Sequence, residues 1–195
     1  SLPAVGHVFT RLAGHGLVLM PHWPYRFERL PGEPHTVRVV RGLPDGPVWT
    51  VVRPGEPVEP HEAVDVADGP AHDHWEIQTS VVNLRWPAGF RVDSPLDEGD
   101  QTPFYLHGPG EAAIFPQGPV PRERCADPET LVAPGQTLLR HDGQSVELAY
   151  EHDGEPWWQA HRLVPYGSDR TLILTAQCLR THADQTREAV DAALS

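Results

Sequence analysis

TLILTAQCLRTHADQTREAVDAALS, Thr171 to Ser195, is the one stretch in which two well-defined elements follow each other without Gly or Pro. Its first part, Thr171 to Cys178, is rich in Thr, Ile and Leu and is preceded by the turn residues Gly167, Ser168 and Asp169, which predicts a strand. Thr181 and Asp184 then have the spacing of a helix start: a hydroxyl accepts from a free backbone N–H and a carboxylate favours the positive end. Ala183, Thr186, Ala189, Val190, Ala193 and Leu194 recur at three- and four-residue steps. One side of the final helix is therefore small and apolar enough to lie on a sheet.

Working back from that ending, Ser145 to Glu151 and Trp157 to Pro165 read as two more strands. His152-Asp153-Gly154-Glu155 and Tyr166-Gly167-Ser168-Asp169 are hairpin connections, with residues that accept tight-turn dihedrals. Val146, Leu148 and Tyr150 alternate with polar neighbours, as do Leu172, Leu174 and Ala176. Further back, Phe104 to Leu106 and Glu111 to Phe115 are short strands around His107-Gly108-Pro109-Gly110, and Pro116 to Gly135 reads as a long irregular loop. Trp75 to Trp86 reads as one long strand-like stretch.

The first third differs. Val5, Val8, Phe9 and Leu12 fall on a helical stripe that predicts a short helix over Pro3 to Leu12, stopped by Gly14 and Gly16. Leu17 to Met20 is a brief apolar run, Tyr25 to Leu30, Thr36 to Arg41 and Val48 to Arg53 read as a meander of three strands, and Pro54 to Pro70 is acidic and Pro-rich enough to read as a surface linker. The expected organisation is an N-terminal extension over 1–70 and an α+β domain over 71–195. The expected fold class is α+β, a mostly antiparallel sheet with N-terminal and C-terminal helices packed on it in an α/β/α sandwich.

Composition narrows the function. In 195 residues, 15 basic residues face 27 acidic ones, a formal net charge of −12, which opposes attraction to nucleic acid. No apolar run reaches the roughly 18 to 20 residues of a membrane span, and Ser1 to Met20 lacks the pattern of a signal peptide, so a cytoplasmic location is expected. Every basic residue is Arg, which leaves no lysine for a phosphate-binding loop, a Schiff base or a kinase site. The G-x-S-x-G, G-x-G-x-x-G and H-E-x-x-H patterns are missing too. Cys125 and Cys178, far apart in sequence, read as two buried or half-buried thiols, with a single bridge between them as the alternative.

Pro87-Ala88-Gly89-Phe90-Arg91-Val92-Asp93-Ser94-Pro95, then short strands, then Leu174-Thr175-Ala176-Gln177 and a last helix, resembles the Mog1/PsbP-like group of α/β/α sandwich domains over roughly Trp75 to Ser195. That group acts mostly by binding, with small-GTPase partners, photosystem subunits and bacterial secretion chaperones among its members. The resemblance implies a non-catalytic interaction protein and carries over no catalytic residue.

The residues themselves offer two candidate sites. His72, His74 and Glu76 would share one face of a strand with about 7 Å between alternate residues, a spacing that lets two imidazoles and a carboxylate meet a divalent transition metal, with His61, His107 or His161 as a further ligand. Trp157, Trp158 and His161 would line an apolar ligand pocket, although adjacent strand residues point oppositely, so one Trp should be core. His107, beside a tight turn, is a further ligand-binding candidate. The expected activity is binding of a protein partner or small ligand through a sheet face or loop edge, without a cofactor. The competing reading is a small metal-assisted enzyme acting on a hydrophobic metabolite.

Overall fold

The computed structural model describes residues 11–14, 17–21, 23–41, 48–53, 64–68 and 74–195, which fall into two compact units, Ser1–Leu106 with Asp191–Ser195, and His107–Val190.

In the first unit, β1 (Arg11–Gly14), β2 (Leu17–Pro21), β6 (Val64–Asp68), β7 (Glu76–Gln78) and β8 (Asn83–Arg85) form an antiparallel sheet in the order β6-β2-β1-β7-β8. A second set, β3 (Tyr25–Leu30), β4 (Glu33–Arg41), β5 (Val48–Val52) and β9 (Arg91–Asp93), pairs in the order β9-β3-β4-β5. Alternation in β4 buries Val37 and Val39 and exposes Arg38, which pairs with Glu28 of β3. Buried Leu19, Phe27, Ile77, Leu84, Trp75 and Trp86 supply much of this unit's core. Arg29 lies over the Trp86 ring at 4.9 Å and donates to the Trp86 carbonyl at 2.9 Å, using its flat guanidinium as both packing surface and donor.

Several expectations are corrected here. Arg11–Gly14 is a strand between β2 and β7, where the predicted helix should end; Pro3 to Thr10 lie outside the described residues. Among the described residues the only α-helix is α1 (Ala183–Leu194), so the architecture is mostly antiparallel β and not an α/β/α sandwich. Of the apolar stripe only Leu12 is described, and the four residues of β1 are too few for a period to tell strand from helix. Val64–Asp68, inside the stretch read as linker, is β6. Trp75 to Trp86 folds back on itself: the Thr79 hydroxyl accepts from the Val81 and Val82 amides and donates to the Val82 carbonyl, closing a turn between β7 and β8.

The second unit holds β11 (Ala112–Pro121), β12 (Thr137–His141), β13 (Ser145–His152), β14 (Glu155–Tyr166) and β15 (Arg170–Leu179), in the antiparallel order β12-β13-β14-β15-β11. The strand β10 (Tyr105–Gly108) precedes β11. β11 runs six residues into the stretch read as loop, with a bulge between Gln117 and Val120. Gly118 (φ +91) sits in that bulge, where a side chain would meet the Val120 amide at 2.8 Å. Two 3-10 turns follow, Arg122–Cys125 and Pro128–Leu131.

A 3-10 turn over Arg180–His182 leads from β15 into α1. The Thr181 hydroxyl meets the His182 ring at 3.1 Å, so the expected Thr181 capping bond to the backbone is not made. The apolar stripe of the helix is as expected: Thr186, Ala189, Val190 and Ala193 are buried. Burial of a single side chain such as Val190 stabilises by about 1.5 to 3 kcal/mol. Both cysteines are free thiols and both are buried.

Candidate functional site

Directly opposed residues in an antiparallel sheet point to the same face, so the register of β13, β14 and β15 divides their side chains cleanly. One face carries Glu147, Trp158, Ala160, Ala176 and Cys178, all buried. The helix covers it. Arg187 of α1 lies 5.3 Å from the Trp158 ring centroid and donates to Glu147 from Nε at 2.8 Å and Nη2 at 3.0 Å. Arg140 Nη2 and Trp158 Nε1 also donate to Glu147, at 2.8 and 3.3 Å, and Arg187 Nη1 reaches Asp184 at 2.7 Å. Burial pushes the Glu147 carboxyl up, but the donors from Arg187, Trp158 and Arg140 outweigh it and hold the carboxyl below its ordinary value. Every oxygen of that buried carboxylate is used by the protein itself.

The opposite face is built in rows. The first row is Tyr150, Trp157 and Leu179, the second Leu148, Gln159, Gln177 and Ala113, the third Val146, His161, Thr175 and Phe115. Across the second row runs an amide relay: Gln136 Nε2 donates to Gln159 Oε1 at 2.7 Å, and Gln159 Nε2 donates to Gln177 Oε1 at 3.2 Å. The relay ends on the Gln177 amide nitrogen, which has no hydrogen-bond partner among the described residues. In the third row the Thr175 hydroxyl donates to Gln117 at 2.8 Å, so it accepts from His161 Nδ1 at 2.9 Å. Burial lowers the His161 pKa, which keeps this imidazole neutral near pH 7.

The first row opens into a recess of about 540 Å³ lined by Glu111, Tyr150, His152, Asp153, Glu155, Trp157 and Gln177. Its wall is aromatic. Tyr150 and Trp157 stack at 22° with centroids 6.1 Å apart, and the His152 ring stands at 78° to Trp157 at 6.2 Å. Both Tyr150 and Trp157 are half-buried, and burial raises the Tyr150 hydroxyl pKa.

Two hairpin turns supply the rim. Asp153 (φ 51) and Gly154 (φ 77) take the left-handed conformations of a two-residue turn, and Gly110 (φ 71) with Glu111 (φ 55) does the same before β11. Gly110 has a second reason to be glycine, since a Cβ there would fall 2.2 Å from the His182 ring, and its carbonyl accepts from the Leu179 amide at 2.9 Å. That anchored turn carries Glu111 to the recess. Glu111 and Glu155 are exposed and make no side-chain hydrogen bond or ion pair among the described residues, while Asp153 lies 3.4 Å from His152. Among the described residues no arginine lines the recess, and neither does any Ser, Thr or Cys that could act as a nucleophile.

Of the candidate ligand residues, the recess takes Trp157 alone. Trp158 is the core member of the pair, 2% exposed beneath Arg187. His161 shares the face of Trp157 but is two rows away and bonded to Thr175. His107 is half-buried in β10 and does not line the recess. His74 Nε2 and Glu76 Oε1 are 3.2 Å apart, but Glu76 also accepts from Gln78, and His72 and His61 lie outside the described residues. Among the described residues no group of three His, Cys, Asp or Glu side chains could hold a metal ion. Among them, too, no helix is long and apolar enough to cross a membrane.

Tyr150, Glu111 and Gln177 were not singled out from sequence. Tyr150 had a local signal, because a two-residue turn at Asp153-Gly154 sets 152 opposite 155 and therefore 150 opposite 157. No family model, curated protein or solved structure matches the chain.

Proposed function

We propose that this is a non-catalytic binding protein and that its ligand, a small molecule or a side chain of a partner, seats in the recess of the second unit against Tyr150 and Trp157. The observation that carries this reading is the half-exposed stacked pair: Trp157 keeps an aromatic surface at a concave site, whereas its neighbour Trp158 is fully used by the core. Concave sites with aromatic walls and a few convergent polar groups are the usual form of ligand sites. The free polar groups here, Glu111, Glu155 and the Gln177 amide nitrogen, are suited to orienting a ligand. Binding is favoured over catalysis by the chemistry of the lining. Among the described residues the lining offers no Ser, Thr or Cys nucleophile, and His152 and Asp153 sit on an exposed turn at 65% and 90% side-chain exposure. The resemblance to a group that acts by binding points the same way.

The test is a screen of the full chain by two-dimensional NMR against a mixture of small polar aromatic, cationic and saccharide compounds. Ligand-induced shifts confined to Trp157, Tyr150 and Gln177, and abolished by Trp157→Ala in a protein that still unfolds cooperatively, are the expected result. Shifts centred elsewhere, for instance around His74 and Glu76, would sink the reading.

A further inference from the structure

The lining of the recess also narrows the class of ligand; this step rests on the recess being the binding site. Two exposed carboxylates, Glu111 and Glu155, flank the aromatic wall with no cationic partner among the described residues, and Asp153 adds a third beside His152. Some carboxylates elsewhere in the described structure are paired with the chain's own arginines, as Asp93 is with Arg26 and Arg91, and Glu147 with Arg140 and Arg187. Among the described residues no arginine reaches the recess to serve as that partner. The Tyr150–Trp157 stack presents the π-face that attracts a cation electrostatically, and carboxylates at the rim of such a face add to the same attraction.

We infer that the recess binds a guanidinium group, as carried by an arginine side chain of a peptide or by a small arginine-like ligand, laid flat against Trp157 with its N–H groups donating to Glu111 and Glu155. A flat, delocalised cation with five donors uses both the aromatic wall and several acceptors at once, which a compact ammonium does less well. The Gln177 amide nitrogen, left as a donor at the end of its relay, suits a carbonyl on the same ligand.

The experiment is titration of the full chain with N-acetylarginine amide, N-acetyllysine amide and a neutral disaccharide, followed by the Trp157 indole N–H resonance and by calorimetry. The arginine probe should bind and move Trp157. Glu111→Gln together with Glu155→Gln, both exposed positions, should weaken it at least about tenfold, and raising salt from about 0.05 to 0.5 M should weaken it further. The lysine probe should bind more weakly, and the disaccharide should leave Trp157 unmoved. Disaccharide binding at Trp157 without arginine binding would overturn the guanidinium assignment while leaving the recess as a binding site. Arginine binding indifferent to the double variant, or lysine binding as tight as arginine, would overturn it too. If no probe moves Trp157, this assignment falls, and the broader screen described above then decides whether the recess binds anything.

Discussion

Trp157 and Trp158 are neighbours in one strand and identical in chemistry, yet they belong to different worlds. Trp158 points to the face closed by α1, where its ring lies under Arg187 and its indole nitrogen donates to Glu147. Trp157 points to the opposite face, stacks on Tyr150 and borders an open recess. On the first face polar groups are spent on each other, with a buried carboxylate receiving four donors. On the second, carboxylates and an amide nitrogen at the rim are left without partners among the described residues. Core residues stand on both faces, Val146, Leu148 and Thr175 on the second, and only the row at the recess keeps interaction capacity in reserve.

The largest expected effect lies on the covered face. Trp158→Ala should destabilise the protein by about 3 to 5 kcal/mol, read from denaturant unfolding, because it removes a large core side chain and leaves Glu147 one donor short. Trp157→Ala should cost under about 1.5 kcal/mol while removing ligand binding. Equal losses from the two variants would erase the distinction between the faces.

Arg187→Ala comes next. Cutting a fully buried ion pair costs about 3 to 5 kcal/mol, but Arg187 is 29% exposed and Arg140 still reaches Glu147, so about 2 kcal/mol is expected. The same pair predicts a pH dependence. Because the folded Glu147 pKa lies below its ordinary value near 4.5, its contribution is present above that value and is lost as pH falls through the lower folded one. Urea unfolding of the wild type should therefore show a fall in stability below about pH 4.5 that Arg187→Ala makes shallower. An unchanged acid limb would show that the carboxylate is not held by the arginine.

The smallest effect belongs to His161, buried two rows from the recess. Burial lowers its folded pKa, so the unfolded chain takes up the proton first, and stability declines as pH falls below about 6.5. His161→Gln should flatten stability between about pH 6.5 and 5 without altering ligand-induced shifts at Trp157. Loss of those shifts would instead make His161 part of the binding site.

The elements legible in the sequence were those whose cause is local. The hairpin at Asp153-Gly154 follows from residues that accept positive φ, and the opposite fates of the two tryptophans follow from strand alternation. The helix stripe of Thr186, Ala189, Val190 and Ala193 follows from a period that twelve residues suffice to display. The end of the helix expected over Pro3 to Leu12 is instead part of β1, whose pairing with the distant β7 no local pattern shows, and β6 lies in an acidic, Pro-rich context. The Thr79 turn split one apparent strand into two through a single hydroxyl.

By itself, then, the chain's order of residues determined its hairpins, its one helix among the described residues and the sides on which its aromatic groups stand, because each depends on neighbours a few positions apart. Only the tertiary structure decided that Glu111 joins Trp157 and Gln177 at one recess. That meeting depends on β11 lying beside β15, a pairing of residues some sixty positions apart, with Gly110 fitted against His182. Which distant strands become neighbours is set by the packing of the whole unit, and no local pattern encodes it.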